Sequence, residues 1–543
     1  MAVLYNDTEK IFSLNTKNTT YQIKVDSYGY LLHLYYGKTV NTSMEYMLTY
    51  SDRSFSGNPY AAGNDRTYSL DVLPQEFPVQ GTGDYRSVAL IIREENGCCD
   101  FSLHYKGHSI TDGKYSLKGL PAAYSEEKAQ TLEIVLKDSR TGIEVTLLYG
   151  VIEDCDIITR SVKVKNSGSE NIYIEKIASA CLDFLYGNYD AITFYGRHAM
   201  ERNINRTPVT HGIQSIGSKR GTSSHQYNPF VILAAEDATE SAGECYGAAF
   251  VYSGNFLAGF ERDQFDQIRF LMGLSDEMFS YRLGIGEEFY APEVLLSYTD
   301  MGLNRLSQNF HYCIREHICR GQYKDQLRPV LINSWEACYF DFNGETLCQL
   351  AGQAAELGIE LLVLDDGWFG ERNDDNSSLG DWYANEKKLG MDLKSLSEKI
   401  HKKGLLFGIW IEPEMVSENS RLYRSHPEWA LQIPGKKPVR GRNQLILDFS
   451  NPEVVQYMFD SISSVLCQCE INYVKWDMNR SISDVYSINA VYQGNVLYDY
   501  MLGVYSLLDR LTGAFPDILW EGCSGGGGRF DAGMMYYTPQ IWC

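Results

Sequence analysis

After Arg328, short apolar runs recur at intervals, each followed by polar residues and then by a stretch with helical spacing. The runs are Val330 to Ser334 (VLINS), Leu361 to Leu364 (LLVL), Leu405 to Ile411 (LLFGIWI), Asn472 to Trp476 (NYVKW) and Ile518 to Trp520 (ILW). Between them, Glu345 to Leu357, Leu393 to Lys403 and Val454 to Gln468 place apolar residues three and four apart. Asn451-Pro452 suits the start of the last helix, as cap and first-turn proline. Repeating β–α units with short apolar strands indicate a parallel sheet. This is the pattern of a (β/α)8 TIM barrel, whose sites form at the C-terminal strand ends. Five strands are complete and a sixth begins near Tyr537, so residues 328–543 are expected to form an incomplete barrel.

Residues 1–300 read differently. Tyr21 to Tyr36, Ser87 to Arg93, Thr131 to Leu136 and Ile143 to Ile177 alternate or run apolar with β-branched and aromatic residues, broken by turns. This predicts a large all-β sandwich of antiparallel strands. Leu303 to Ile318 has helical spacing and is expected to lie in a helical linker over 301–327. At 543 residues the chain is too long for one core. The 39 tyrosines and 23 phenylalanines fit strands first and sugar faces second.

A formal net charge of −22 argues against nucleic-acid or anionic-membrane partners, which need basic patches. The first sixteen residues lack a basic stretch followed by an apolar one, so no signal peptide is expected, and no run of about 18 apolar residues predicts a membrane span. Thirteen scattered cysteines have no disulfide rhythm. A cytoplasmic protein with reduced thiols is the economical expectation. No metal or cofactor is expected: there is no H-E-x-x-H, and in Asp374 to Gly380, with Gly380 at the obligatory glycine of an EF-hand, Leu379 falls at a ligand position.

Chemistry-bearing residues follow each strand. Side chains two apart on a strand share a face, so Lys475, Asp477 and Asn479 converge. A carboxylate between a cation and an amide stays ionised, as suits a nucleophile or a hydroxyl acceptor. Taken alone, K-x-D is also what a strand-end salt bridge looks like. Asp365 and Asp366 are adjacent acids that splay at a strand end, able to accept from two vicinal hydroxyls, with Gly367 for a turn and Trp368 as a stacking plate. A cap and turn would have the same composition. Trp410 and Glu412 share a face; the acids Glu412 and Glu414 have the chemistry of catalysts or of loop anchors, and are expected to hold loops. Trp335-Glu336 is expected to supply a wall. In Gly525 to Gly528 the glycines allow close backbone approach; the phosphate-loop pattern fails, and Cys523 has no histidine close by in sequence.

The motifs V-L-I-N-S-W-E, L-D-D-G-W-F, G-I-W-I-E-P-E-M, K-W-D-M-N-R and C-S-G-G-G-G-R-F-D, in this order, resemble those of glycoside hydrolase family 36 α-galactosidases. So do Ser51-Asp52-Arg53-Ser54-Phe55 and Arg220 to Phe230 (RGTSSHQYNPF). The resemblance implies an N-terminal β-supersandwich, a central barrel and a small C-terminal β domain, commonly as a homotetramer. It implies retaining hydrolysis of terminal α-galactose from melibiose- or raffinose-type sugars through a galactosyl-aspartate intermediate, without a cofactor. Asp477 takes the nucleophile's role. Asp365, Asp366, Trp410, Arg442, Lys475, Asn479, Cys523 and Gly525 take galactose-binding roles, Trp335 forms a wall, and Asp52 and Phe55 reach a neighbouring subunit's pocket.

The family's acid/base aspartate follows the P-Q-x-W motif, a few residues beyond Cys543. The expectation is therefore a truncated chain with negligible melibiose hydrolysis of its own, since a missing general acid costs about 10²–10⁴-fold. Robust hydrolysis by the purified chain would overturn that expectation. Rival readings are an α-N-acetylgalactosaminidase, a galactosyl transferase of the raffinose-synthase type, and a catalytically dead galactoside-binding or assembly fragment.

Overall fold

A computed structural model describes residues 2–53, 55–125 and 129–543. Ser54 of the S-D-R-S-F motif lies outside the described residues. The chain divides into two compact units. The first comprises Met1–Lys219, His225–Ile318 and Asp531–Gly533, and the second Arg220–Ser224, Cys319–Phe530 and Met534–Cys543.

The first unit is built almost wholly from antiparallel strands. Val3–Asn6, Ile11–Asn15, Thr19–Val25 and Leu31–Lys38 form a four-stranded meander. A ten-stranded sheet includes Ala129–Lys137, Ile143–Ile152 and Ile157–Asn166 as successive neighbours. Ile172–Phe184 pairs with Leu90–Glu94 and with Ile268–Leu274 in a six-stranded sheet. Period-2 patterning explains the layers. Leu132, Ile134 and Leu136 are buried, whereas Glu133, Val135 and Lys137 on the other face are partly open. The apolar run Ile143 to Ile177 resolves into three consecutive strands. The stretch read as one helix, Leu303 to Ile318, is an α-helix over Gly302–Cys313 that widens into a π-helical turn over Ile314–Ile318.

The second unit holds a six-stranded parallel sheet in sequence order: Leu331–Asn333, Leu361–Leu364, Leu406–Ile411, Tyr473–Trp476, Leu519–Gly522 and Gln540–Ile541. This is a partial barrel, with the five complete strands where the periodicity put them. The sixth starts at Gln540 rather than Tyr537, because Tyr537 and Thr538 still donate their N–H groups to Met534 O and so close the preceding helical turn. Gly344–Glu356, Leu393–His401 and Pro452–Leu466 are the connecting helices, and side chains of Asn343, Asp392 and Asn451 cap their first turns. Val454, Met458, Ile462 and Val465 are buried on one face of the last, at the spacing the sequence predicts.

Register aligns the strand ends. Trp410 is opposite Lys475, Ile411 opposite Trp476 and Trp476 opposite Gly522, so the residues that follow these strands emerge at one rim. Gly408 makes this spacing possible: a Cβ there would meet Tyr473 Cδ1 at 2.7 Å. Beneath the rim, Leu361, Val363, Tyr473 and Leu519 pack as a buried cluster. Leu361, fully buried in this cluster, tests the support. Leu361→Ala is expected to cost about 2–5 kcal/mol, read as a lower urea midpoint with an unchanged slope.

Candidate active site

The site is assembled around Asp477, which follows the fourth strand of the barrel sheet and is buried. Its Oδ1 accepts from the backbone N–H of Met478 (2.8 Å) and of Gly525 (3.1 Å). Its Oδ2 accepts from Trp410 Nε1 (3.0 Å) and Asn479 Nδ2 (2.8 Å). Burial would raise this carboxyl, but the Lys475 charge, the Trp410 indole, the Gly525 N–H and the Cys523 thiol together hold it below the usual carboxylate range. Gly525 has φ +51°, a left-handed conformation that aims its N–H at Asp477 and that a larger residue would adopt under strain. The glycine run is therefore part of the carboxylate's cradle.

The adjacent acids after the second strand splay as expected, each toward its own cation. Lys475 Nζ lies 3.1 Å from Asp365 Oδ2, which also accepts from Asn333 Nδ2 at 2.6 Å. Burial would lower the Lys475 ammonium, but Asp365, Cys523 and Asp477 more than offset it and keep it charged. The Trp542 ring lies 4.5 Å from Lys475 Nζ. Asp366 forms a bidentate pair with Arg372, both bonds 2.8 Å. Burial nevertheless raises the Asp366 carboxyl, against the opposing pull of Arg372.

Arg442 and Asn479 stand on the open side. Arg442 is exposed, with φ +50°, and its Nη1 donates to Asn479 Oδ1 at 3.3 Å. Cys523 is buried, and burial followed by the Asp477 charge pushes its thiol well up, so it is a protonated donor rather than a nucleophile. Trp335 is half-buried, edge-on to Tyr339 and Phe340, as a wall residue would be. Trp368 corrects the reading of it as a stacking plate: its side chain is fully buried and its Nε1 donates to Trp410 O at 2.9 Å. An indole that has to satisfy its N–H in the core cannot also face a ligand. Asp52 and Phe55 belong to the first unit, where Asp52 lies 3.2 Å from Arg66 Nη2 and Phe55 is fully exposed.

Several residues that organise the rim carry little local signal. Arg372 and Asn333 were not distinguishable as partners of the acids. The two glutamates of I-E-P-E hold loops. Glu414 accepts from Trp476 Nε1 (2.9 Å), Arg529 Nη1 (2.8 Å) and Tyr500 OH (2.7 Å). Glu412 accepts from the backbone N–H of Asn479 and from Gln444 Nε2. In the R-G-T-S-S motif, Arg220 O accepts from Ile482 N and Ser224 N donates to Gly528 O, both at 2.8 Å. The motif therefore braces the loops after the fourth and fifth strands.

Glu412 is completely buried, and burial followed by the nearby Asp477 charge pushes it up to about 8. An unfolded glutamate releases its proton near 4.5, so between these values the folded chain binds a proton that the unfolded chain does not. Its contribution to stability is full below that window and is lost as pH rises through it. Glu412→Gln keeps an oxygen for the Asn479 N–H and cannot ionise. Relative to the parent, its melting temperature is expected to rise progressively across that window, and a pH-independent difference would contradict the assignment.

Two family descriptions match the chain: "Glycosyl hydrolase family 36 N-terminal domain" over residues 29–284 and "Melibiase" over residues 288–543. The bifunctional alpha-galactosidase/sucrose kinase AgaSK of Mediterraneibacter gnavus is 62% identical over a match of 544 positions that covers 100% of this chain and 58% of that protein. The solved galactosidase domain of AgaSK superposes with a TM-score of 0.98 at 61% identity, covering 100% of this chain and 75% of that one. A variant of the α-galactosidase AgaA from Geobacillus stearothermophilus, solved with raffinose, superposes with a TM-score of 0.96 at 48% identity, over 98% of this chain and 75% of that one. The chain thus spans just over half the length of the bifunctional relative and about three quarters of the solved ones. With both family descriptions met in order and a rim of acids, indole and glycines in the same frame, the chain belongs to the glycoside hydrolase family 36 α-galactosidases.

Proposed function

We propose that this chain carries the galactose pocket and the nucleophile of a retaining α-galactosidase acting on terminal α-galactose of raffinose-type sugars. The observation that carries the reading is Asp477: a buried carboxylate kept ionised beside Lys475, at a barrel-strand end, in a chain half identical to an α-galactosidase solved with raffinose.

In this mechanism Asp477 attacks the anomeric carbon from the face opposite the aglycone and forms a galactosyl ester; water then attacks from the face the aglycone left, freeing Asp477 with net retention. Four N–H groups already occupy its two oxygens, which holds the carboxylate in one orientation but leaves little room for a sugar hydroxyl. Asn479 is half-exposed and bonded to the exposed Arg442, so it is the donor that turns toward a hydroxyl when galactose enters. The fixed donors Trp410, Met478 and Gly525 then keep the attacking oxygen aimed. Asp365 and Asp366, braced by Lys475 and Arg372, have acceptor lone pairs left for the axial C4 hydroxyl and its neighbour. A glucose epimer would leave those buried acceptors without a partner, which is the basis for preferring galactose.

Departure of the aglycone needs a second carboxyl about 5–5.5 Å from the first. Asp365 and Asp366 are tied to cations and Glu412 to the Asn479 backbone, so the reading assigns this role to a carboxyl other than these three. Asp52 and Phe55 fit the proposal through self-assembly, in which one copy's exposed loop approaches another copy's pocket.

Asp477→Asn is expected to lower galactose release from an aryl α-galactoside by about 10³-fold or more. Galactose affinity by calorimetry should stay within a few-fold of the parent's. A fluorinated galactosyl inactivator should label Asp477, located by peptide mass mapping. Parental turnover in the variant, or label on another residue, overturns the assignment. Parallel assays with an N-acetyl-α-galactosaminide and with raffinose plus a sugar acceptor separate hydrolysis of galactosides from the two rival activities.

A further inference from the structure

Away from the barrel rim, the first unit brings Asp154, Cys155 and His317 together. Asp154 and Cys155 lie in the 3-10 turn Glu153–Cys155, which joins the strands Ile143–Ile152 and Ile157–Asn166. His317 lies in the π-helical turn Ile314–Ile318 that follows the helix Gly302–Cys313. One donor atom from each of the three side chains, a carboxylate oxygen, Sγ and a ring nitrogen, lies within 4.8 Å of the others.

The imidazole is set up as a ligand. Its Nδ1 is 2.9 Å from the backbone carbonyl of Tyr124, an acceptor, so Nδ1 carries the proton. Nε2 is then the nitrogen left to bind a metal, and this is how a metal-binding histidine is oriented by its second hydrogen bond. His317 is more than nine-tenths buried, and Nε2 has no hydrogen-bond partner. Asp154 Oδ1 is 3.4 Å from it, in no hydrogen-bonding arrangement. A ring nitrogen and a carboxylate oxygen this close share a positive centre, a proton or a metal ion. The Cys155 thiol, buried alongside, donates to Ile152 O at 3.8 Å, and the neighbouring Cys313 thiol and burial push it well up. A cavity of about 420 Å³ lined by Asp154, Cys155, Arg305 and Tyr312 gives access.

We propose that Asp154, Cys155 and His317 form a divalent-metal site, with Zn2+ the ion that best suits one sulfur, one nitrogen and one oxygen donor. Ligand bonds of about 2.0–2.3 Å place tetrahedral donors about 3.3–3.8 Å apart. The 3.4 Å between Asp154 Oδ1 and His317 Nε2 already falls in this range, so the closure on binding, at most about 1 Å, is made at Cys155 Sγ. Binding forms the metal–sulfur bond and releases the Cys155 proton to solvent. Thiolate and carboxylate neutralise the ion, so the nearby Arg305 and Arg315 do not oppose it, and water completes the fourth position. The ion would pin the turn Glu153–Cys155 to the turn Ile314–Ile318.

The test uses the full chain, kept reduced with a phosphine, stripped with chelator and titrated with Co2+ as a spectroscopic probe and with Zn2+. One equivalent of Co2+ is expected to give a thiolate-to-cobalt charge-transfer band that Zn2+ displaces. Zn2+ should also raise the melting temperature of the parent. Cys155→Ser should abolish the band, and His317→Gln and Asp154→Asn should each weaken Co2+ binding by at least about tenfold. Circular dichroism checks folding; Asp154→Asn, a change at a half-exposed carboxylate, decides the matter if the buried variants unfold. A parent without the band, a band that survives Cys155→Ser, or parental affinity in Asp154→Asn overturns the proposal. So does a histidine signal showing Nε2 protonated and unchanged by Zn2+.

Discussion

A carboxylate that is buried and must stay charged governs the second unit. Desolvation alone would neutralise Asp477, so the surrounding chain supplies what water would have supplied: an indole N–H, a side-chain amide, two backbone N–H groups and an ammonium. These come from the third, fourth and fifth strands of the sheet or the loops after them. Parallel register puts those ends at one rim, and Gly408 lets Tyr473 approach closely enough to hold that register. The barrel sheet is thus a device for aiming donors at one point.

Five acids crowd the same rim, and their charges are balanced individually. Lys475 is paired with Asp365, Arg372 with Asp366 and Arg529 with Glu414. The hydrogen bonds to Glu412 come from neutral amides, and the chain accommodates it by raising it toward neutrality. Leaving one acid protonated avoids a further buried negative charge beside Asp477. The cations also orient the acids, so the rim's polar edges are fixed in place.

Much of the fold was readable locally because its elements obey local rules. Period-2 alternation located the strands around Leu132 to Leu136, and helical spacing with an Asn-Pro start located Pro452–Leu466. Side-chain alternation placed Lys475, Asp477 and Asn479 on one face and Trp410 beside Glu412; in the structure Asn479 and Trp410 both donate to Asp477, and Glu412 accepts from the Asn479 backbone. The readings that failed did so where tertiary packing overrode local pattern. Trp368 looked like a ligand platform because of its neighbours Asp366 and Gly367, but its indole N–H is needed by Trp410 O in the core. Arg372 and Asn333 sit in unremarkable loop and strand sequence, and nothing local marks them as partners of Asp366 and Asp365.

By itself, the sequence determined the β-rich first part, the strand–helix rhythm after Arg328, the family and the residue types that bear the chemistry, because each rests on periodicity or on ordered short motifs. Only the tertiary structure decided which donors neutralise which acid, that Glu412 is the acid raised to about 8, and that Cys523 is a protonated donor. The same holds for His317, whose buried Nε2 meets Asp154 and Cys155 from more than 160 positions away. Charge state and ligand geometry depend on burial and on distances between chain-remote atoms, and no local spacing encodes those.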